Sequence, residues 1–131
     1  MVARHYKELE CWQLAHELKC EVFAFTAQLP TKADRDFCQD IRASARSAPS
    51  NISEGFGRGT HRDFAHFLSI ARASLMETDN HLQDALDCAY ITHAEHTRLS
   101  TLADRALKAT TSLQSYLLRT PDRRRGKGQA T

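Results

Sequence analysis

The stretch that decides the fold of this chain is Ser47–Thr60, SAPSNISEGFGRGT, which interrupts a region of helical pattern. Pro49 lies inside that pattern, and Gly55, Gly57 and Gly59 alternate at its end. A nucleotide-binding loop would need a preceding strand and either the full GxGxxG spacing or a Walker GK[ST] ending, and this stretch has neither. The choice is therefore between a linker and a helix that bends and then stops.

The apolar spacing on both sides of the proline favours the helix. One apolar face runs straight through Pro49, formed by Phe37, Ile41, Ala45, Ala48, Ile52 and Phe56. A linker would not preserve that register. Because proline has no N–H to donate to the carbonyl four residues earlier, the helix either kinks near Pro49 or breaks and restarts there, and we favour the kink. The three glycines are expected to unwind its end with left-handed backbone.

Helical periodicity also dominates the rest of the chain, and no segment alternates like a strand. The predicted helices are 8–29, 32–57, 61–90 and 93–119, with Pro30 ending the first. Three threonines, at positions 31, 60 and 92, each precede an acid by three residues. Such a threonine accepts an unpaired N–H and the acid suits the positive helix end, so each pair predicts a helix start.

Apolar residues in three of these helices step alternately by three and four positions. The seam residues are Cys11, Ala15, Leu18, Val22, Phe25 and Leu29 in the first helix, Phe64, Leu68, Ala71, Leu75, Thr78, Leu82, Ala85 and Ala89 in the third, and Leu99, Leu102, Ala106, Ala109, Leu113 and Tyr116 in the fourth. This alternation is typical of helices packed at small angles, and short connections favour antiparallel neighbours. The sequence therefore predicts an all-α, antiparallel, up-down-up-down four-helix bundle over residues 1–119.

Composition and charge restrict the class of protein. The 131 residues are 41% apolar and 26% charged, as in a soluble single domain. The chain has neither the run of about 18 apolar residues of a membrane span nor an apolar secretory leader, so we expect a cytoplasmic protein with no membrane contact. The four cysteines are widely spaced and form no CxxC pair, and we expect reduced thiols.

The charge is unevenly distributed along the chain. Residues 119–131 hold five basic side chains against one acid, a net charge of +4, whereas the other 118 residues hold 13 basic and 15 acidic ones, a net charge of −2. Residues 120–131, TPDRRRGKGQAT, carry no large apolar side chain and are expected to be a disordered basic tail. Its candidate nucleic-acid contacts are Arg123, Arg124, Arg125 and Lys127.

A candidate polar patch lies on the second helix and is formed by Arg42, Asn51, Glu54 and Arg58. Functionally, it would bind a phosphate or an acid of a partner. The structural alternative is an ion pair between Glu54 and Arg58, which are four residues apart, or a contact between subunits.

The second candidate surface consists of arginines. Between residues 42 and 72 the chain has Arg42, Arg46, Arg58, Arg62 and Arg72 against Glu54 and Asp63, a net charge of +3. These side chains would form a phosphate-facing surface, or simply a solvated helix face.

The sequence gives no pattern for metal, cofactor or catalytic chemistry. His93 and His96 are three residues apart, but the inward Glu-x-x-His ligands of di-iron bundles are missing. No nucleophile and base are identifiable from spacing, and the serines between residues 44 and 53 are expected to bond to the backbone near Pro49. We therefore predict no catalytic residues, no metal and no cofactor.

The region around Pro49 resembles a known protein family. The matching residues are Ile41-Arg42, Ser47, Pro49-Ser50-Asn51-Ile52 and Glu54-Gly55-Phe56-Gly57-Arg58. They resemble the signature of the four-helix-bundle proteins encoded in bacterial 23S ribosomal RNA intervening sequences, and the resemblance spans about residues 6–118. It implies an antiparallel bundle that assembles into a ring, a homopentamer. The family is also similar to the accessory variability protein of diversity-generating retroelements, a pentameric bundle that binds nucleic acid and a reverse transcriptase.

These observations lead to one expected function and two alternatives. We expect a non-enzymatic oligomeric scaffold that binds itself and either RNA or an RNA-handling protein. Apolar residues outside the seams, namely Trp12, Phe23, Phe67 and Ile70, predict the surface between copies. The alternatives are a small enzyme that handles a phosphorylated ligand through Arg42, Asn51 and Glu54, and a purely self-associating structural protein.

Overall fold

The computed structural model describes residues 3–122, and this part of the chain is all-α. It contains four α-helices, α1 (Glu10–Thr26), α2 (Arg35–Phe56), α3 (His61–Asp87) and α4 (His93–Arg119), with short 3-10 turns at Tyr6–Glu8 and Thr31–Ala33. The all-α prediction is confirmed. None of the helices described is both long and apolar enough to span a membrane.

The helices pack around one core. α2 contacts α1 and α3, and α4 contacts α3 and α1, so each helix has two packed neighbours. The largest fully buried apolar side chains are Leu18, Val22, Ile41, Ile52, Leu68, Leu75, Leu82 and Leu99. Across α2 and α3, Ser44 meets Thr78 and Ser47 meets Ser74. The predicted apolar residues of the first three helices therefore supply most of the core.

The predicted starts of α3 and α4 are confirmed, and that of α2 is wrong. The Thr60 hydroxyl accepts from the Asp63 amide at 3.2 Å, and Thr92 with Glu95 forms a complete capping box. Thr31 instead begins a separate turn, in which the Asp34 amide donates to the Thr31 carbonyl at 2.9 Å. The Asp34 carboxylate then caps α2 by accepting from the Phe37 amide at 3.1 Å. An aspartate caps a helix as well as a threonine does, which the spacing rule did not weigh.

Two helices end earlier than predicted. α1 ends at Thr26, and Leu29 is 76% exposed rather than part of a seam. α3 ends at Asp87 because Ala89 adopts a left-handed φ of 60°, which lets the Tyr90 amide donate to the Ala85 carbonyl at 2.8 Å. That arrangement is a Schellman motif, which usually carries glycine at this position. An alanine there gives no sequence signal.

α2 continues through Pro49 as one helix, so the alternative in which it breaks and restarts there is excluded. Ala45 and Ala48 are buried, as the apolar register predicted. The bend itself stays a prediction.

The three glycines at the end of α2 and after it have different structural roles. A Cβ at Gly55 would lie 2.8 Å from atoms of Phe64 and Phe67, so this glycine permits close contact between α2 and α3. Gly57 ends α2 with a right-handed φ of −81°. Among the glycines described, Gly59 alone has a positive φ, of 90°, so the expectation of left-handed backbone holds at this position and not at the other two.

The buried face of α4 shifts away from the predicted seam in its second half. Leu99, Leu102 and Ala106 are buried as expected. The next buried residues are Thr110, Gln114 and Leu117, while the predicted Ala109 and Leu113 are half-buried and Tyr116 is exposed. A straight helix drifts relative to a strict seven-residue repeat, and polar Thr110 and Gln114 concealed that drift in the sequence.

Candidate nucleic-acid interface

Two predicted arginines share one aromatic support at the α1–α2 corner. The guanidinium carbons of Arg42 and Arg46 lie 4.7 and 5.1 Å from the centre of the Phe23 ring. The arginines are four residues apart on α2, which places both on the face that meets α1. Phe23 therefore attracts two cations through its ring face without neutralising their charge.

Neutral hydrogen-bond acceptors fix the position of Arg42. Its Nε donates to the Thr26 hydroxyl at 2.8 Å, and its Nη2 donates to the Phe23 carbonyl at 3.4 Å. Thr26 in turn donates to the Val22 carbonyl at 2.7 Å, which orients the hydroxyl. The guanidinium is held in place while its full positive charge remains.

A basic groove lies beside these arginines. Its volume is about 400 Å³, and it is lined by Thr26, Ala27, Lys32, Arg35, Cys38, Gln39 and Arg42. Within residues 3–122, no carboxylate lines it. We call this site the α1–α2 basic groove. Three cations with no lining acid make a site suited to an anion, and arginine is well shaped for phosphate.

The thiol in this groove is a poor candidate nucleophile. Cys38 donates to the Thr31 carbonyl at 3.2 Å, and burial raises the pKa of its thiol. Burial also raises the pKa of Cys11 to about 11. Both groups therefore stay protonated at neutral pH, and a thiol is far less reactive than a thiolate. All four cysteines are free.

The predicted polar patch is divided between separate partners. Glu54 and Arg58 form an ion pair at 3.2 Å, and Arg58 also lies 4.7 Å from the centre of the Phe67 ring. Asn51 instead donates to the Ser47 carbonyl and hydroxyl at 2.8 and 3.0 Å. Arg42 is held by α1. The structure thus brings Glu54 and Arg58 together and separates them from the other two.

Arg72 lies apart from both the α1–α2 basic groove and the Glu54–Arg58 ion pair. Its Nη1 donates to the side-chain oxygen of Gln114 at 2.8 Å, and Gln114 donates to the Ala65 carbonyl at 2.9 Å. The Nε of Arg72 is buried and has no hydrogen-bond partner within residues 3–122. Arg72 therefore faces α4, away from the groove. The sequence analysis missed Gln114, although its four-residue step from Thr110 is a helical signal.

The remaining predicted contacts are Arg62 and the tail. Arg62 is exposed on the first turn of α3. Arg123, Arg124, Arg125 and Lys127 lie outside the described residues, as does most of the predicted basic tail.

The serines near Pro49 hold helices together. Ser44 donates to the Ile41 carbonyl at 3.1 Å and accepts from Thr78 at 2.9 Å, while Ser74 donates to Ser47 at 2.8 Å. Ser53 donates to the Ser50 carbonyl at 2.9 Å. The predicted bonding of these serines to nearby backbone is confirmed for Ser44 and Ser53. The cross-helix bonds were not anticipated.

No group of three or more His, Cys, Asp or Glu side chains that would hold a metal ion occurs among residues 3–122.

A comparison with curated proteins gave no match. The sequence model of the family described as 23S rRNA-intervening sequence protein matches residues 7–112, which include α1, α2 and α3 entirely and most of α4. The match confirms the resemblance seen in the residues around Pro49. This chain therefore belongs to the 23S rRNA-intervening sequence protein family.

Proposed function

We propose that this protein is a non-enzymatic, oligomeric binding module of the cytoplasm, and that its ligand is RNA. The observation that carries the proposal is the α1–α2 basic groove, in which Lys32, Arg35 and Arg42 surround an opening lined by no acid of residues 3–122. The family's description names the 23S rRNA intervening sequence, and that link to RNA supports RNA as the anion.

The partners of these cations distinguish them from other basic side chains. Arg98 is paired with Glu21 at 2.6 Å, and Lys108 is paired with Asp104 at 3.0 Å. A cation that already faces a carboxylate gains little from a phosphate. Arg42 and Arg46 are positioned by a ring, a hydroxyl and a carbonyl, so their attraction for phosphate is undiminished.

The proposal includes self-association. Ser44 pairs with Thr78, and Ser47, which comes later on α2, pairs with Ser74, which comes earlier on α3. This reversed order supports the antiparallel up-down-up-down arrangement. Exposed apolar side chains such as Met76 and Leu118, 62% and 67% exposed, support further contacts between copies. The family resemblance implies a pentameric ring, and several grooves on one ring would bind RNA by multivalency.

Light scattering at micromolar protein concentration tests the assembly. We expect a mass of five chains. A monomeric mass would contradict both the ring and the multivalent binding that depends on it.

An RNA titration tests the ligand. The double variant Arg35→Gln/Arg46→Gln removes two exposed cations, one that lines the groove and one that shares the Phe23 ring with Arg42. We expect fluorescence anisotropy with a labelled single-stranded RNA to show about tenfold weaker binding. The salt dependence should also become shallower, by about 0.7 per lost phosphate contact.

Arg98→Gln/Lys108→Gln is the matched control for that titration, because it also removes two cations, and each of them already faces a carboxylate. Its affinity should stay close to that of the unmodified protein. Equal losses of RNA affinity in both variants would show that binding depends on net charge and not on the groove. An absence of RNA binding by the unmodified protein would contradict the proposal and leave an RNA-handling protein as the partner to seek.

A further inference from the structure

An aromatic cluster lies in the first half of α1. The Trp12 and His16 rings are stacked, with centres 4.6 Å apart and planes 10° from parallel. The Tyr6 ring meets Trp12 edge-on, with centres 5.3 Å apart. The His16 Nε2 also lies 3.6 Å from the Cys20 sulfur. Trp12 and His16 are half-buried, and these contacts hold their rings in place.

The stacked rings share one flank of α1 with Phe23. Steps of four, three and four residues place four side chains on this flank, namely Trp12, His16, Lys19 and Phe23. Because Phe23 supports Arg42 and Arg46 of α2, the flank faces α2. We call the four residues of α1 the stacking strip.

The acids of α1 lie on its other flank. Glu21 pairs with Arg98 of α4 at 2.6 Å, and Glu10 lines the open groove between α1 and α4. Glu17 is four residues before Glu21 and shares its side of the helix. No acid of α1 therefore lies beside the stacking strip, and Lys19 adds a cation to it.

The side of α2 that meets this strip also carries no acid. The same spacing of four, three and four residues leads from Arg42 and Arg46 to Pro49 and Ser53. The strip is also continuous with the α1–α2 basic groove, because Phe23 comes three residues before Thr26, which lines the groove. From Trp12 to Phe23 the strip spans about 16 Å of helix.

We propose that the stacking strip binds the bases of single-stranded RNA, while the α1–α2 basic groove and the two arginines beside Phe23 bind its phosphates. This inference rests on the proposed function and names the form of RNA that the site takes. It assigns Trp12 and Phe23 to RNA rather than to the surface between copies that the sequence predicted.

The combination of rings and cations favours a single strand. In a duplex the bases cover one another, whereas an unpaired base offers its face to an aromatic side chain. Proteins that bind single strands combine a basic groove with such rings. The rings of this strip are already packed, so they lose little freedom when a base stacks on them.

Trp12 is the only tryptophan of the chain, so its fluorescence reports on the strip directly. Unlabelled single-stranded RNA should quench this fluorescence through base stacking. An abasic strand of the same length carries the same phosphates without bases, and it should bind about tenfold more weakly and leave the emission unchanged. Equal affinity and equal quenching with the two strands would contradict the inference.

Two variants test the strip with the labelled single-stranded RNA. Trp12→Leu and His16→Ala should each weaken binding by about fivefold to tenfold. Trp12 packs against the core and His16 does not, so His16→Ala keeps the test valid if Trp12→Leu fails to fold. Because Trp12→Leu removes no charge, its affinity should depend on salt as steeply as that of the unmodified protein, unlike that of Arg35→Gln/Arg46→Gln.

Tyr116→Leu is the matched control, because it replaces an exposed ring on α4 outside the strip, and it should bind RNA as tightly as the unmodified protein. If Trp12→Leu and His16→Ala bind RNA as tightly as Tyr116→Leu while Arg35→Gln/Arg46→Gln is weakened, the stacking inference fails and the proposed function stands. If the Trp12 emission changes when the protein alone is diluted, Trp12 lies between copies and the inference also fails. If the unmodified protein binds no RNA, both fail.

Discussion

α2 packs against α3, and α1 packs against α4. We call these two helix–helix interfaces the α2–α3 seam and the α1–α4 seam, and they are built differently. Across the first, small side chains bond to one another, Ser44 with Thr78 and Ser47 with Ser74. Across the second, the polar link is a surface ion pair between Arg98 and Glu21. Beside the second seam lies an open groove of about 540 Å³, lined by Leu9, Glu10, Cys11, Leu14, Arg105, Lys108, Ala109, Ser112 and Leu113.

This difference shows where the bundle tolerates change. Small residues let helices approach closely, and at that distance an added carbon has no space and a removed hydroxyl leaves a buried partner unsatisfied. A seam of larger side chains beside an open groove has room to adjust. We therefore expect substitutions at the α2–α3 seam to lower the free energy of unfolding far more than substitutions at the α1–α4 seam.

The largest effect is expected at Gly55. A Cβ there would lie 2.8 Å from the Phe64 Cδ1 and the Phe67 Cβ, so Gly55→Leu should destabilise the fold by about 3 kcal/mol. Gly57→Leu is the control, because a Cβ at Gly57 would lie 3.6 Å from its nearest neighbour, and it should change stability by less than about 0.5 kcal/mol. Urea unfolding measures both. Similar losses in the two variants would mean that α2 and α3 are not in close contact.

Ala45 tests the same seam from the middle of α2. The residue is buried, so Ala45→Leu should overpack the core and cost about 2 kcal/mol. Ala43→Leu places the same side chain on the exposed side of α2 and should be nearly neutral. An unchanged urea midpoint for Ala45→Leu would show that the core rearranges to accommodate the larger side chain at this position.

How much of this seam could be predicted depends on the kind of residue. The apolar register through Pro49 correctly placed Ile41, Ala45, Ala48 and Ile52 inside, because burial follows helical spacing directly. The hydrogen bond from Thr78 to Ser44 joins residues 34 positions apart, and no local pattern encodes it. The sequence therefore identified which positions of α2 are buried without showing that the serine hydroxyls between them pair with residues of α3.

The candidate site, too, was predicted from the sequence only in part. The arginines were found from charge alone, but the aromatic support of Arg42 and Arg46 depends on Phe23, which lies on another helix. Arg72 appeared equivalent in sequence, yet Gln114 holds it on the side that faces α4. The hydrogen bond from the His61 amide to the Asp122 carboxylate joins residues 61 positions apart. Tertiary contacts of this kind decide which charges act together.

Thr78→Val should have an intermediate effect. Valine keeps the volume of threonine but removes the donor to the Ser44 hydroxyl, and the loss should be about 1 kcal/mol. A double-mutant cycle with Ser44→Ala separates the pair interaction from the loss of each side chain. Thr101→Val, at an exposed position on α4, is the control and should be nearly neutral. If Thr78→Val and Ser44→Ala lower the free energy of unfolding additively, the hydrogen bond between the two residues does not stabilise the seam.

A smaller effect with a distinct pH profile is expected where the loop after α3 meets the start of α2. The Tyr90 hydroxyl donates to the Asp34 carboxylate at 2.6 Å, which lowers the pKa of Asp34 and raises that of Tyr90 to about 12. The Asp34 contribution is present above the unfolded pKa of about 3.9 and is lost as the pH falls through the lower folded value. The Tyr90 contribution is complete below an unfolded pKa of about 10 and is lost as the pH rises towards the folded value.

Tyr90→Phe should therefore be less stable than the unmodified protein between about pH 5 and pH 9, and the difference should shrink on both sides of that window. Thermal unfolding measured inside this window and at lower and higher pH gives the profile. Tyr116→Phe, at an exposed residue of α4, is the control and should show no such window. A difference between Tyr90→Phe and the unmodified protein that does not vary with pH would exclude the bond to Asp34 as its cause.

The smallest effect is expected at the α1–α4 ion pair. Arg98 and Glu21 are 55% and 34% exposed, so water and salt screen their attraction although their atoms are 2.6 Å apart. The coupling between Arg98→Gln and Glu21→Gln in a double-mutant cycle should be below about 1 kcal/mol and should decline at high salt. The buried bond between Ser44 and Thr78 carries no net charge, so its coupling should not respond to salt in this way. A coupling at the ion pair that exceeds the one between Ser44 and Thr78, and that persists in high salt, would reverse the order of the two seams and make α1–α4 the stronger link in the bundle.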